Sequence, residues 1–185
     1  MDLSPLERRA DAWIDSFRQV DHLRATHKWL LELDPDADLA LRVAALTHDM
    51  ERQYPGGPAH DPSWGWDDPE YLFAHSMRSA DIVAWWLHDA MDEEDDRFVG
   101  DVRRLILLHE LGGTPRADVL QAADSLSWFE TNSGLVVDWI ETGYCTRDVG
   151  IGKHRFMLER IRVARARDLA APLYERALRM VEAVA

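Results

Sequence analysis

Cysteine occurs once in the 185 residues, at Cys145. That excludes an internal disulfide and any zinc site built from several thiolates, and it suits a cytosolic setting. Cys145 lies in an expected loop with no base placed beside it, so it reads as chemically inert. No segment approaches 18 uninterrupted apolar residues, and no basic flank precedes a short apolar run near the start, so neither a membrane span nor a signal peptide is expected. Basic residues are outnumbered, 21 Lys and Arg against 34 Asp and Glu, for a formal net charge of −13. This balance disfavours a nucleic-acid polymer or an anionic membrane as the main partner. A small phosphorylated molecule stays open, because a metal ion and a few local cations can reverse the field inside one cleft. There is no Walker loop, no dinucleotide-binding glycine fingerprint and no Gly-x-Ser-x-Gly elbow. Internal repeats, low-complexity tracts, domain linkers and alternating strand patterns are missing as well.

What remains is helical periodicity. With 46% hydrophobic and 30% charged residues, the chain reads as one globular domain, 1–185, and as an all-α, single-domain helical bundle. Ser4-Pro5-Leu6-Glu7 is a capping box with proline at the first helical position, and Trp13, Ile14, Phe17 and Val20 follow at helical spacing. Further helices are expected over Asp21 to Leu33, Leu39 to about Arg52, Asp68-Pro69 to about Met91, about Arg97 to Leu111, from Thr114-Pro115 onward, and over Leu135 to Ile140. Gly143 to Gly152 reads as a loop, and 153–185 as one long helix broken near Pro172. The stretch 53–68, with Pro55, Gly56, Gly57, Pro58, Pro62 and Gly65, is a long loop suited to covering a cleft. The acidic run 92–96 reads as a solvated turn or helix end, and most of the eight tryptophans as core or pocket wall.

The stretch that organises the chain is Ala44-Ala45-Leu46-Thr47-His48-Asp49-Met50, where an apolar run ends in an imidazole and a carboxylate at the edge of the core. Both are ligand types that divalent transition metals accept. A lone helical histidine is ordinarily a satisfied structural residue, so the argument rests on an ordered set: His22, His48-Asp49, His75, His109 and Asp124. Asp124 stands among small and apolar neighbours, where a carboxylate buried without a partner would be costly. His27 competes with His22. From His22 the offsets +4, +7, +8 and +11 give Thr26, Trp29, Leu30 and Leu33, a packing face, whereas the same offsets from His27 give Leu31, Asp34, Pro35 and Asp38, so His22 is favoured. His60, His88 and His154 read as structural or exposed, and Arg160, Arg162, Arg165 and Arg167 as the solvated face of an amphipathic helix. By charge, Arg52, Arg78 and Lys153 are candidate phosphate contacts, Arg78 the better supported because it shares a helix face with His75.

The order of these pieces over roughly residues 20–130 resembles the HD-domain superfamily of metal-dependent phosphohydrolases. The matching segments are Asp21-His22-Leu23-Arg24, Ala44 to Asp49, Ala74-His75-Ser76-Met77-Arg78-Ser79-Ala80, Ile106-Leu107-Leu108-His109-Glu110 and Ala122-Ala123-Asp124-Ser125-Leu126. The resemblance implies an HD-type bundle with the C-terminal helices, 153–185, packing on the motif-bearing core. It implies that His22, His48, Asp49 and Asp124 ligate one divalent transition metal, with His75 and His109 binding a second ion or the substrate phosphate. Mn, Fe, Co, Ni and Zn all suit mixed nitrogen and oxygen ligands. The activity to expect is hydrolysis of a small phosphate ester such as a nucleotide by a metal-activated water. In that reading His75, His109 or Glu110 serves the leaving group or the phosphate, and Arg78 and Arg52 contact the phosphate. The alternative is a non-catalytic metal- or nucleotide-binding regulatory module with the same fold. The apolar C-terminal helix leaves a homo-oligomer open.

Overall fold

The computed structural model of the chain describes residues 3–93 and 95–184. Among the described residues there are nine α-helices and no strand. They are α1 (Pro5–Ile14), α2 (Val20–Leu33), α3 (Leu39–Thr47), α4 (Pro69–Ala90), α5 (Asp96–Leu108), α6 (Pro115–Ser127), α7 (Ser133–Glu141), α8 (Arg147–Glu159) and α9 (Ala164–Glu182). None is long and apolar enough to cross a membrane.

Local signals start most of these helices where the sequence predicts. Ser4 and Glu7 form the reciprocal capping box of α1, and the side chains of Asp38, Asp68, Asp95 and Thr114 accept backbone N–H groups at the starts of α3, α4, α5 and α6. Of the acidic run 92–96, Glu94 lies outside the described residues and the other four are exposed. Two apolar cores form. The first gathers Ile14, Leu23, Leu30, Leu41, Val83 and Ile106 between α1 and α5, and Leu120 and Ala123 of α6 close it. The second gathers Leu126, Phe129, Val136, Met157, Ile161 and Val181 between α6 and α9. Helix α6 is therefore buried on both sides, Leu120 facing one core and Leu126 the other, while α2 packs along it. Trp13 stacks on Trp86 at 4.5 Å and 3°, tying α1 to α4.

Three stretches differ from the expectation. Helix α3 ends at Thr47, with His48 as its C-cap, and the chain tightens into a 3₁₀ turn at Met50–Gln53 instead of running on to Arg52. The expected broken helix over 153–185 is instead two helices, α8 and α9, parted well before Pro172. Thr146 caps α8, whose first turn occupies part of the expected loop, and the break comes at 160–163. Pro172 lies inside α9 on its exposed side without breaking it. Ala185, at the end of the expected long helix, lies outside the described residues.

Candidate metal centre

The ends of five helices meet where the two cores join. His22 comes from the first turn of α2, His48 and Asp49 from the end of α3, and His75 from the second turn of α4. His109 and Glu110 follow α5, and Asp124 is in the last turn of α6. All seven are buried, with His48, His75 and His109 fully so. The early end of α3 lets His48 and Asp49 turn inward together.

Each imidazole is tied on its outer side. Nδ1 of His48 donates to the Ala45 carbonyl at 3.1 Å and Nδ1 of His109 to the Ile106 carbonyl at 2.7 Å. Nδ1 of His75 lies 2.7 Å from the Glu51 carboxylate. Ser127 Oγ donates to the Asp124 carbonyl at 2.9 Å and so accepts from His22 Nδ1 at 2.7 Å. Carbonyls and carboxylates only accept, which places a proton on Nδ1 and turns Nε2 inward, with a lone pair for an ion whenever the ring is neutral. Those lone pairs meet carboxylate oxygens. His22 Nε2 is 3.1 Å from Asp124 Oδ1, and His48 Nε2 is 3.5 Å from the same atom. Asp49 Oδ1 is 2.9 Å from His75 Nε2 and 3.9 Å from His109 Nε2, while its Oδ2 is 3.9 Å from His22 Nε2. The Nε2 atoms of His48, His75 and His109 are buried without an aligned hydrogen-bond partner. Acceptors facing acceptors in a buried space are costly unless a metal ion, or a proton on Nε2, lies between them.

The residues present fit a metal. Three overlapping groups, His22/His48/Asp124, His48/Asp49/His109 and His75/His109/Glu110, each bring their ligand atoms within 4.8 Å of one another. These buried groups can hold a metal ion, with nitrogen and oxygen donors that suit first-row transition metals.

Two guanidiniums brace the carboxylates. Arg160, with 6% of its side chain exposed, bonds Glu110 through Nη1 and Asp124 through Nη2, and its Nε donates to Ser125 Oγ at 2.9 Å. Arg52 Nε donates to Asp49 Oδ2 at 3.1 Å and its Nη1 reaches the Tyr71 hydroxyl at 3.1 Å. Burial alone would raise the carboxyl groups, yet Arg52 and His75 hold Asp49 well below the usual range, and Arg160 with His22 and His48 does the same for Asp124. Glu110 is likewise held down to about 2, chiefly by Arg160 against its burial. Burial pushes His109 down to about 4, its neighbours His48 and His75 adding to the effect. Burial also disfavours charge on His48 and His75, but nearby carboxylates outweigh it and both are raised.

A cavity of about 110 Å³ opens above the cluster. Its walls are aromatic: Trp66 stacks on His60 at 4.6 Å and on Trp139 at 5.5 Å, with Trp128, Tyr71 and Tyr144 beside them. The 53–68 loop supplies His60 and Trp66, and it is strapped down where Trp66 Nε1 donates to the Val149 carbonyl at 2.7 Å and Tyr144 Oη to the His60 carbonyl at 3.0 Å. A π turn at Trp128–Asn132 places Trp128 in the cleft while Phe129 enters the second core. Trp64 and Trp85 are exposed elsewhere.

The other candidate residues are placed as follows. Arg160 is not part of a solvated face but is buried in the cluster, whereas Arg162, Arg165 and Arg167 are exposed. Arg52 lines the cleft; Arg78 does not, because its guanidinium is taken up by the Tyr54 and Pro55 carbonyls and by Glu51. His27 is turned away from the cluster, 2.8 Å from Glu7. His60 is a cleft residue, His88 is exposed, and His154 is buried, accepting from Trp128 Nε1 at 3.3 Å. Glu51, which holds His75, was not singled out by sequence reasoning; no local pattern marks it. Comparison with protein-family models, curated proteins and solved structures finds no match.

Proposed function

We propose that this chain is a metal-dependent phosphohydrolase of the HD-domain type, acting on a small phosphate ester with nucleotides as the first class to test. The observation that carries the reading is the convergence of four outward-tethered histidines and three carboxylates beneath an aromatic-walled cleft. Their order along the chain is the order in which this sequence resembles the HD-domain superfamily. Seven candidate ligand residues exceed what one ion needs, and the two oxygens of Asp49 face different histidines. Both facts support two ions, which these seven residues would hold, drawn from Mn, Fe, Co, Ni and Zn.

Bound there, such ions acidify a water and polarise a phosphoryl oxygen. The chain's own residues do the rest. The Nδ1 contacts fix each ring, and Arg160 and Arg52 orient the carboxylates. Three carboxylates against two guanidiniums leave one net negative charge, which two divalent ions convert to three positive. A phosphate monoester dianion offsets most of that field. Trp66, Trp128 and Trp139 offer flat apolar surface to a planar leaving group.

The test is elemental analysis of wild type beside Asp49→Ala, then a phosphatase screen on a nucleotide panel with Mn²⁺ or Co²⁺. About two equivalents of metal, lost in Asp49→Ala, together with hydrolysis of a panel member, is the expected result. Metal without hydrolysis would favour the regulatory-module reading. No metal in either protein after reconstitution would end the phosphohydrolase reading and leave only a metal-free, nucleotide-binding module.

A further inference from the structure

Three Lys or Arg side chains line the cleft: Arg52, Lys153 and Arg160. Both guanidiniums are paired with carboxylates of the cluster, Arg52 with Asp49 and Arg160 with Glu110 and Asp124. Lys153, on α8, is not. Among the described residues it makes neither an ion pair nor a hydrogen bond, although the chain carries 34 acidic residues. Its Nζ instead lies over three ring faces, 4.8 Å from Trp128, 5.1 Å from Phe156 and 5.2 Å from Trp66. Ring faces attract an ammonium without taking up its N–H donors in conventional hydrogen bonds, so the cage holds the charge in place and leaves donors available. The only other lysine makes the contrast. Lys28 also lies over a ring, Trp29 at 5.0 Å, but it is paired with Glu130 at 2.5 Å.

We propose that Lys153 is an anion-binding group of the cleft, receiving a phosphate oxygen that the ion cluster does not hold. This rests on the phosphohydrolase reading for the identity of the anion, while the site itself stands on the cage and the missing counter-charge. Lys153 is half-buried, and burial pushes its ammonium down to about 8 against the pull of Glu110, so the group is charged at neutral pH with part of its solvation lost. A partner that restores its lost solvation binds with a charge-assisted hydrogen bond. Inorganic phosphate is the probe.

With two lysines in the chain, [13Cε]lysine labelling yields two side-chain signals. Titrating inorganic phosphate into the full, metal-loaded chain is expected to shift the Lys153 signal saturably and leave that of Lys28 unmoved. By calorimetry, Lys153→Gln is expected to weaken phosphate binding about tenfold or more, the loss of one charge-assisted hydrogen bond. Its metal content should stay at the wild-type value, and Lys153→Arg should retain binding within about threefold. A Lys153 signal indifferent to saturating phosphate, or a wild-type affinity in a folded Lys153→Gln, overturns the assignment; so does wild type that binds no phosphate. The two readings fail separately. Phosphate binding at Lys153 without hydrolysis of any panel member removes the phosphohydrolase reading and keeps the site. Hydrolysis with a KM unchanged in Lys153→Gln removes the site and keeps the enzyme.

Discussion

At Arg160 one guanidinium answers two buried carboxylates, Glu110 and Asp124, and so braces both ends of the cluster. Removing it leaves two carboxylates buried with their main counter-charge gone. Arg160→Met is therefore expected to cost about 3–5 kcal/mol of stability in metal-free protein, read by urea unfolding. Arg160→Lys should recover only part of that, because an ammonium cannot form the fork. Added Mn²⁺ should narrow the deficit, since an ion supplies the missing positive charge; an Arg160→Met protein as stable as wild type would show that the pairing carries no weight. Lys153 gives a prediction of opposite kind. Its folded value, about 8, lies below the ordinary 10.5, so the unfolded chain binds more protons between those values. From this group alone, stability rises with pH across that window. Denaturant unfolding at pH 8 and pH 10 should show a smaller rise in Lys153→Met than in wild type.

At the scale of elements, Glu7 joins the cap of α1 to two other helices. It accepts from the Ser4 backbone N–H at 2.8 Å, lies 2.8 Å from His27 Nε2 on α2, and is 3.4 Å from Arg42 on α3. Although burial opposes it, these partners hold its carboxyl below 4.5. A carboxyl lowered in the folded state stabilises fully above its unfolded value and loses that contribution as pH falls through the folded one. Glu7→Ala is expected to lose about 1–3 kcal/mol at pH 7 and to show a weaker decline in stability below pH 4.5 than wild type. Helix α9 offers the converse case. Pro172 is exposed in its interior, so Pro172→Ala should raise stability by roughly 1–2 kcal/mol and leave metal content untouched. Between elements, Gly57 lies so close to the ends of Glu51 and Arg78 that a β-carbon there would push those side chains aside. The 53–68 loop thereby reaches the cluster through Glu51, which holds His75.

For the whole molecule, the cluster sits on the seam between two apolar cores that share α6. A cation there joins α2, α3, α4, α5 and α6 at once, so its binding energy acts on most of the fold. An ion present at a thousand times its Kd contributes about 4 kcal/mol. Chelation is expected to lower the melting temperature of wild type by several degrees, restored by Mn²⁺ or Co²⁺, and to leave Asp49→Ala unchanged. Equal melting curves with and without chelator would remove the metal from the account of the fold.

The sequence by itself determined the helices that carry caps and clear periodicity, and the ligand types with their order. Ser4, Asp38 and Thr114 act on neighbours three residues away, and the packing face running from His22 to Leu33 is a property of one helix. Such signals are local, so they survive without the fold. Where the local signal misled, tertiary packing had overruled it. The break at 160–163 has no glycine or proline, and is made by Ile161 entering the second core while Arg160 enters the cluster. Pro172, the strongest breaker in that region, faces water and breaks nothing. Only the tertiary structure decided which nitrogen of each histidine turns inward, that Arg160 faces Asp124 thirty-six positions away, and that His60 and Trp66 wall the cleft. Those are contacts between segments far apart in the chain, where spacing carries no information and geometry alone sets the charge and the lone pair that an ion or a phosphate would meet.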